Sequence, residues 1–193
     1  MVATPIPGPA SADTDRRARL QQAAEQLGLA LPDPAIDRLM AYLALLQRWN
    51  KVYNLTALRD PEQMLSHHLV DCLAVLPPLR ALAARRAGGG AKLPLRILDV
   101  GSGGGLPGAV LAALEPSWQV ACVDAVAKKV TFIRQVAAEL RLPNLQGLHA
   151  RVEDLAPEGG RYDLITSRAF ASLPDFTALT RHLLAEKIGR AHV

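Results

Sequence analysis

Asp99-Val100-Gly101-Ser102-Gly103-Gly104-Gly105-Leu106-Pro107-Gly108 is the stretch on which the fold turns. A short apolar run, Leu95 to Val100, precedes it and reads as a strand; a helical pattern from about Pro107 to Leu114 follows. Glycines at such a junction let the backbone turn sharply and approach a ligand without Cβ collision, while the helix beyond offers unpaired N–H groups. Gly103, Gly105 and Gly108 meet the spacing of the dinucleotide-binding pattern, and Asp124 closes the next strand, Gln119 to Val123, where a carboxylate can take ribose hydroxyls. A glycine pattern alone is weak. Strand before, helix after and acid at the next strand tip make it specific.

Downstream the alternation continues, with a helix over Val126 to Leu140, strands over Leu145 to Ala150 and Tyr162 to Thr166, and a helix over Ser172 to Leu184. Strands separated by helices of this length imply a parallel sheet with right-handed crossovers, so the fold class is α/β and Rossmann-like. Upstream the period is helical. Leu20, Ala23, Ala24 and Leu27 share a face until Gly28; Asp33 and Pro34 read as a helix start before Ile36, Leu39, Met40, Leu43 and Leu46; Asp60, Pro61 and Gln63 read as another start, with a third helix running to Pro77. Three amphipathic helices without a strand make an N-terminal helical cap, which must lay its apolar faces on something larger. The organisation expected is a disordered leader over 1–12, the cap and its linker over 13–90 with a basic hinge at Arg85, Arg86 and Gly88 to Gly90, and the Rossmann-like domain over 91–186. That domain, with four strands where such folds carry about seven, reads as incomplete at its C-terminal side. Ile188-Gly189-Arg190-Ala191-His192-Val193 resembles translated sequencing adapter, so 187–193 is expected to be a non-native tail.

The formal net charge of +4 suits a polyanionic partner but does not demand one. Cys72 and Cys122 sit far apart in apolar runs, with no second Cys or His at metal-ligand spacing, so the expectation is buried structural thiols and no metal. No run approaches membrane-spanning length and the start lacks a signal-peptide pattern; a cytoplasmic monomer is the default.

Asp99 separates the two nucleotide chemistries the loop could serve. A dinucleotide pyrophosphate would sit badly beside a carboxylate, whereas S-adenosylmethionine presents an ammonium and a sulfonium, for which a carboxylate is favourable. Asp99 therefore points to a sulfonium cofactor. Glu153 and Asp154, past the third strand, add acidic groups where an adenine edge would lie, although a solvated turn explains Asp154 equally well.

Beyond these motifs, the sequence resembles the bacterial small-subunit (16S) ribosomal RNA guanine-N7 methyltransferases, the glucose-inhibited division protein B family. The similarity spans roughly Leu29 to Leu184 and rests on Arg48-Trp49-Asn50-Lys51-Val52-Tyr53-Asn54-Leu55-Thr56, Arg59-Asp60-Pro61, His68-Leu69-Val70-Asp71, Asp99 through Gly108, Lys128-Lys129-Val130, Phe132 through Val136, Arg151-Val152-Glu153 and Ser167 through Leu173. The resemblance implies an S-adenosylmethionine-dependent methyltransferase fold, cofactor contacts at Gly101, Leu106, Asp124, Val152, Glu153 and Arg168, and methyl transfer to N7 of a guanine in the decoding-region loop of 16S rRNA, free or in the 30S particle. With Asp99, Gly103 and Gly105 from the loop, these are the candidate cofactor residues.

Guanine N7 carries an in-plane lone pair and no proton, so its methylation needs alignment rather than a general base. The chain accordingly shows no acid/base dyad, carries Ser167-Arg168-Ala169-Phe170 in place of an Asn/Asp-Pro-Pro-aromatic loop, and has no cysteine there for covalent C5 chemistry. Arg168 is the first substrate-side candidate, with an ion pair to Glu153 or Asp124 as its plainer reading. Phe170 could stack on a flipped base or simply fill the core. Lys128, Lys129, Arg134 and Arg151 could guide phosphates or be a solvated face; Asn54 and His68 could line the cofactor entrance or be structural; Trp49 and Tyr53 are expected to staple cap to sheet. The competing functions are a small-molecule or protein methyltransferase of the same fold, and a non-catalytic rRNA-binding module.

Overall fold

The computed structural model describes residues 9–88, 94–156, 161–168 and 172–185. The expectations for Phe170, for the first eight residues of the leader and for the 187–193 tail lie outside the described residues.

Four parallel strands, β1 (Arg96–Val100), β2 (Gln119–Asp124), β3 (Leu145–His149) and β4 (Leu164–Ser167), lie in the order β3-β2-β1-β4. Strand order thus reverses after β3, and the reversal leaves a crevice beyond the carboxyl ends of β1 and β4, where open α/β sheets take their ligands. Register places Asp99 between Cys122 and Thr166. Alternate residues face opposite ways: Ile97, Val120 and Cys122 join the larger core, whereas Leu98, Val100, Ala121 and Val123 join a smaller one with Val152, Tyr162 and Leu183.

Helices α6 (Gly108–Leu114) and α7 (Ala127–Glu139) cover the first face; α8 (Leu173–Thr180) and a 3₁₀ turn, Arg181–Leu183, approach the second. These elements fall where the periodicity put them. The cap differs in three respects. Helix α1 (Pro9–Gln26) starts inside the expected leader and ends on Gly28, whose left-handed backbone (φ 71°) lets Gly28 N–H reach Glu25 O and Leu29 N–H reach Ala24 O. Helix α2 (Asp33–Tyr53) has Asp33 inside its first turn rather than as a cap, and Asp33 pairs with Arg17 across the α1–α2 contact at 2.7 Å. Arg17 also pairs with Asp37.

The third helix is a composite: α3 (Pro61–Met64), capped by Asp60 Oδ1 on Glu62 N–H at 3.1 Å, a π-helical turn (Leu65–Val70) and α4 (Asp71–Ala74). Beyond it, the expected basic hinge is mostly a further helix, α5 (Leu76–Gly88). Leu76 anchors it in the core, Arg80 pairs with Glu115 at 2.6 Å, and Arg86 pairs at 2.7 Å with Asp163, whose other oxygen accepts Arg96 N–H. Arg86, expected as a hinge charge, instead ties α5 to Asp163 next to β4.

The cap buries its apolar faces as expected: Ile36, Leu39, Leu43 and Leu46 of α2 form one core with α6 and α7. Trp49 stacks beside Tyr53 (centroids 5.1 Å) and against Phe132 of α7 (5.5 Å). Cys72 and Cys122 are buried free thiols, and burial pushes the Cys72 thiol up to about 12.

Candidate functional site

The glycine loop is held from three sides. Gly101 N–H donates to Val123 O (2.9 Å), tying the loop to the end of β2; Gly103 N–H donates to Asp124 Oδ2 (3.1 Å); and the buried Tyr42 hydroxyl donates to Gly104 O (2.7 Å), tying it to the cap. Gly101 has φ 65°, a conformation that L side chains rarely adopt, and a Cβ there would meet nothing within 4 Å. Gly108 answers a different demand: a Cβ would lie 2.4 Å from Cys122 Sγ, so only glycine lets α6 seat on β2.

Two cavities open on this loop, and Gly101 lines both. The first, about 420 Å³, is walled by Val100, Gly101, Asp124, Lys129, Val152 and Glu153 among others. Asp124 is 6% exposed; its Oδ1 accepts from Val126 N–H (2.9 Å), its Oδ2 from Gly103 N–H, and Lys129 Nζ stands 3.5 Å from Oδ2. A carboxylate offers about four acceptor positions, so one on Oδ1 remains for a ligand hydroxyl. Glu153 is held below its ordinary pKa by its own backbone N–H and then by Arg151, which it meets at 2.7 Å. Arg151 is therefore an ion-pair partner at the rim.

The second cavity, about 130 Å³, is walled by Thr56, His68, the loop from Gly101 to Gly104, Leu106 and Arg168, with Leu46 and Leu55 behind. Arg168 makes neither expected ion pair. Its Nη1 donates to His67 O (2.7 Å) and its Nη2 to His68 Nδ1 (3.2 Å), both on the π-helical turn. His68 Nε2 in turn lies 2.9 Å from Thr56 Oγ1. Burial, then the Arg168 charge, lowers the His68 pKa. Ser102 Oγ, buried on the same wall, has no hydrogen-bond partner among the described residues. An orphaned buried hydroxyl is costly, and a polar ligand would satisfy it.

The structure thus assembles Gly101, Asp124, Val152 and Glu153 around one cavity, and Gly101, Gly103, Leu106 and Arg168 around the other. Asp99 and Gly105 line neither. Asp99 is completely buried behind the loop: Oδ2 accepts Gly108 N–H (3.0 Å), Oδ1 accepts from Thr166 Oγ1 (3.3 Å), and burial raises its pKa to about 7. Its position is that of a brace between β1, β4 and the start of α6, with hydrogen bonds to Gly108 and Thr166 and a place in neither cavity wall. Gly105 packs against Ala109 and Ile133. Asn54 also stands apart, ending α2 in a left-handed conformation with its Oδ1 taken by Arg59. Sequence reasoning missed Tyr42, Thr56 and Ser102. Tyr42 is readable in retrospect as a hydroxyl on the apolar face of α2, whereas Thr56 and Ser102 carry no signal apart from their neighbours.

The residues present suit S-adenosylmethionine. A long cavity with an acid at its rim can take the nucleoside, and a short one with hydroxyl and guanidinium donors can take the amino-acid end. A parallel sheet with a glycine turn after β1, an acid ending β2 and a helical cap over the crevice defines a Rossmann-like methyltransferase. The sequence profile of the rRNA small subunit methyltransferase G family (GidB) matches residues 35–191, and the chain belongs to that family. It is 61% identical over 169 residues to the ribosomal RNA small subunit methyltransferase G of Leptothrix cholodnii, covering 88% of this chain and 73% of that one. To the protein of the same name from Acidovorax ebreus it is 58% identical over 167 residues, covering 86% and 73%. Among solved structures, magnesium protoporphyrin IX methyltransferase of Synechocystis with bound S-adenosylmethionine shares 20% identity at a TM-score of 0.42, covering 81% of this chain and 74% of that one.

Proposed function

We propose that the chain binds S-adenosylmethionine across Gly101 and transfers its methyl group to N7 of a guanine in 16S rRNA. Membership of a family whose relatives are named for small-subunit ribosomal RNA supports the substrate class. The cofactor supplies an electrophilic methyl on a sulfonium. This chain's residues hold and orient: Asp124 and Glu153 the nucleoside end, and Thr56, Ser102 and Arg168 the amino-acid end.

The choice of N7 rests on the sequence's resemblance to the guanine-N7 methyltransferases, and the described residues beside Arg168 agree with it. Among the described residues, the wall of the second cavity holds no carboxylate, and its one imidazole is engaged by Arg168 and Thr56. An exocyclic amine or a carbon nucleophile must lose a proton, and no described residue lining that cavity is free to take it; N7 has none to lose. Catalysis then reduces to alignment and exclusion of water. Lys51, Arg59 and Lys128 are exposed cations available to RNA phosphates.

The test is transfer from methyl-labelled S-adenosylmethionine to 16S rRNA and to 30S particles, followed by borohydride and aniline treatment. Label at a guanine that aniline then cleaves supports N7; label at an exocyclic amine, at C5, or in protein rather than RNA contradicts it.

A further inference from the structure

The contact between the π-helical turn and the end of β4 is more specific than cavity lining requires. One guanidinium closes on two acceptors of consecutive residues, His67 O and His68 Nδ1, across an interval of about a hundred residues in sequence. A π-helical turn shifts backbone bonding from i+4 to i+5, as Asp71 N–H to Ser66 O does here, and such turns concentrate at functional positions. Resting on the cofactor reading above, we propose that His68 is a positioning residue: a neutral imidazole with its proton on Nε2, it fixes Arg168 against the second cavity and makes the Thr56 hydroxyl a donor to the cofactor's carboxylate.

The tautomer follows from donor and acceptor inventory. His68 Nδ1 lies 3.2 Å from both Arg168 Nη2 and His67 O; Arg168 can only donate and already serves His67 O through Nη1, so the proposed tautomer keeps the lone pair on Nδ1 for Nη2 and the ring proton on Nε2. Nε2–H then donates to Thr56 Oγ1, which also accepts Leu58 N–H at 3.3 Å. With both lone pairs used, Thr56 can engage a ligand only as a donor. Ser102 and Arg168 line the same cavity as Thr56, so three donor side chains border a space with no carboxylate among the described residues. That set matches a carboxylate.

Protonation would undo it. A second ring proton on Nδ1 would face Arg168 Nη2, donor against donor and cation against cation. The groups facing His68 are Arg168 from the end of β4, Asp71 and His67 from its own helical stretch, and the neutral Thr56; burial and the Arg168 charge outweigh the His67 backbone carbonyl and Asp71 and lower the ring's pKa.

The test measures S-adenosylmethionine affinity by calorimetry from about pH 8 to about pH 5 for the wild type and His68→Asn, whose amide oxygen replaces the Nδ1 acceptor but cannot titrate. The variant should bind several-fold more weakly throughout, having lost the Thr56 bond. The wild type should lose affinity relative to it toward acid, as the ring gains its second proton and turns a donor toward Arg168. Two-bond ¹H–¹⁵N spectra of wild type read the tautomer without any substitution and should show Nδ1 unprotonated near neutrality. A wild-type-to-variant ratio constant with pH, or a proton on Nδ1, overturns the inference. A wild type that does not bind S-adenosylmethionine near pH 8 overturns the cofactor reading and the inference with it.

Discussion

Replacing Asp99 by Asn should stabilise the protein at alkaline pH, although Asp99 sits inside its most recognisable motif. Complete burial pushes this carboxyl from 3.8 up to about 7, against the pull of Gly108 N–H and Thr166 Oγ1. The folded protein therefore keeps the proton over a range in which the unfolded chain has released it. Stability from this group is complete below the unfolded value and is lost as pH rises toward 7. A displacement of about three pH units, at about 1.4 kcal/mol each, sets the loss at about 4 kcal/mol. Asparagine does not ionise, and its amide can place oxygen on Gly108 N–H and NH₂ on Thr166 Oγ1. Alanine deletes the acceptor and leaves Gly108 N–H buried and unpaired, at a cost of about 1–3 kcal/mol before any cavity term. Urea unfolding followed by circular dichroism at about pH 5 and about pH 8 separates the cases. Asp99→Asn should exceed wild type by a few kcal/mol at the higher pH, with the gap closing at the lower. A gap that does not change with pH, or an asparagine variant as unstable as the alanine one, would refute the reasoning.

Three further outcomes follow from the loop geometry. Gly108→Ala drives a Cβ to 2.4 Å from Cys122 Sγ and 3.1 Å from Asp99 Oδ2; overpacking of this kind should cost about 1–3 kcal/mol in the same unfolding assay. Gly101→Val meets no atom within 4 Å but must hold φ 65°, so unfolding should show a loss of about 1–2 kcal/mol, while S-adenosylmethionine affinity, read by calorimetry, should fall far more because the side chain enters the wall shared by both cavities. Asp124→Ala removes the acceptor for Gly103 and Val126 N–H groups and the partner of Lys129; cofactor affinity should drop about ten- to a hundredfold, the span of one to two charge-assisted hydrogen bonds.

The Rossmann-like half was legible because its signals are local and mutually consistent: the β1 run, the glycine turn, the α7 face of Val130, Ile133 and Val136, and Asp124 at a strand tip all point the same way. The cap was legible as helices but not in its details. Whether Asp33 caps α2 or pairs with Arg17, and whether Arg86 belongs to a hinge or to an ion pair with Asp163, depends on partners far away in sequence. Of the candidate site residues, Gly101, Asp124, Val152 and Glu153 stand around one cavity because strand ends converge by topology. Asp99 shows the limit of charge reasoning. Its type and position spoke for a cation, yet only packing reveals that helix α6 and Thr166 already hold both oxygens. The Arg168–His67–His68–Thr56 chain was unreadable for the same reason, since a π-helical turn has no sequence signature and its partner lies about a hundred residues away in sequence.

A crystal structure grown with S-adenosylhomocysteine would test the central claim most directly. The ligand should cross Gly101, with its ribose hydroxyls on Asp124 and its carboxylate among Thr56, Ser102 and Arg168. Density that leaves this crevice clear, or that places the nucleoside on another face of the sheet, would contradict it.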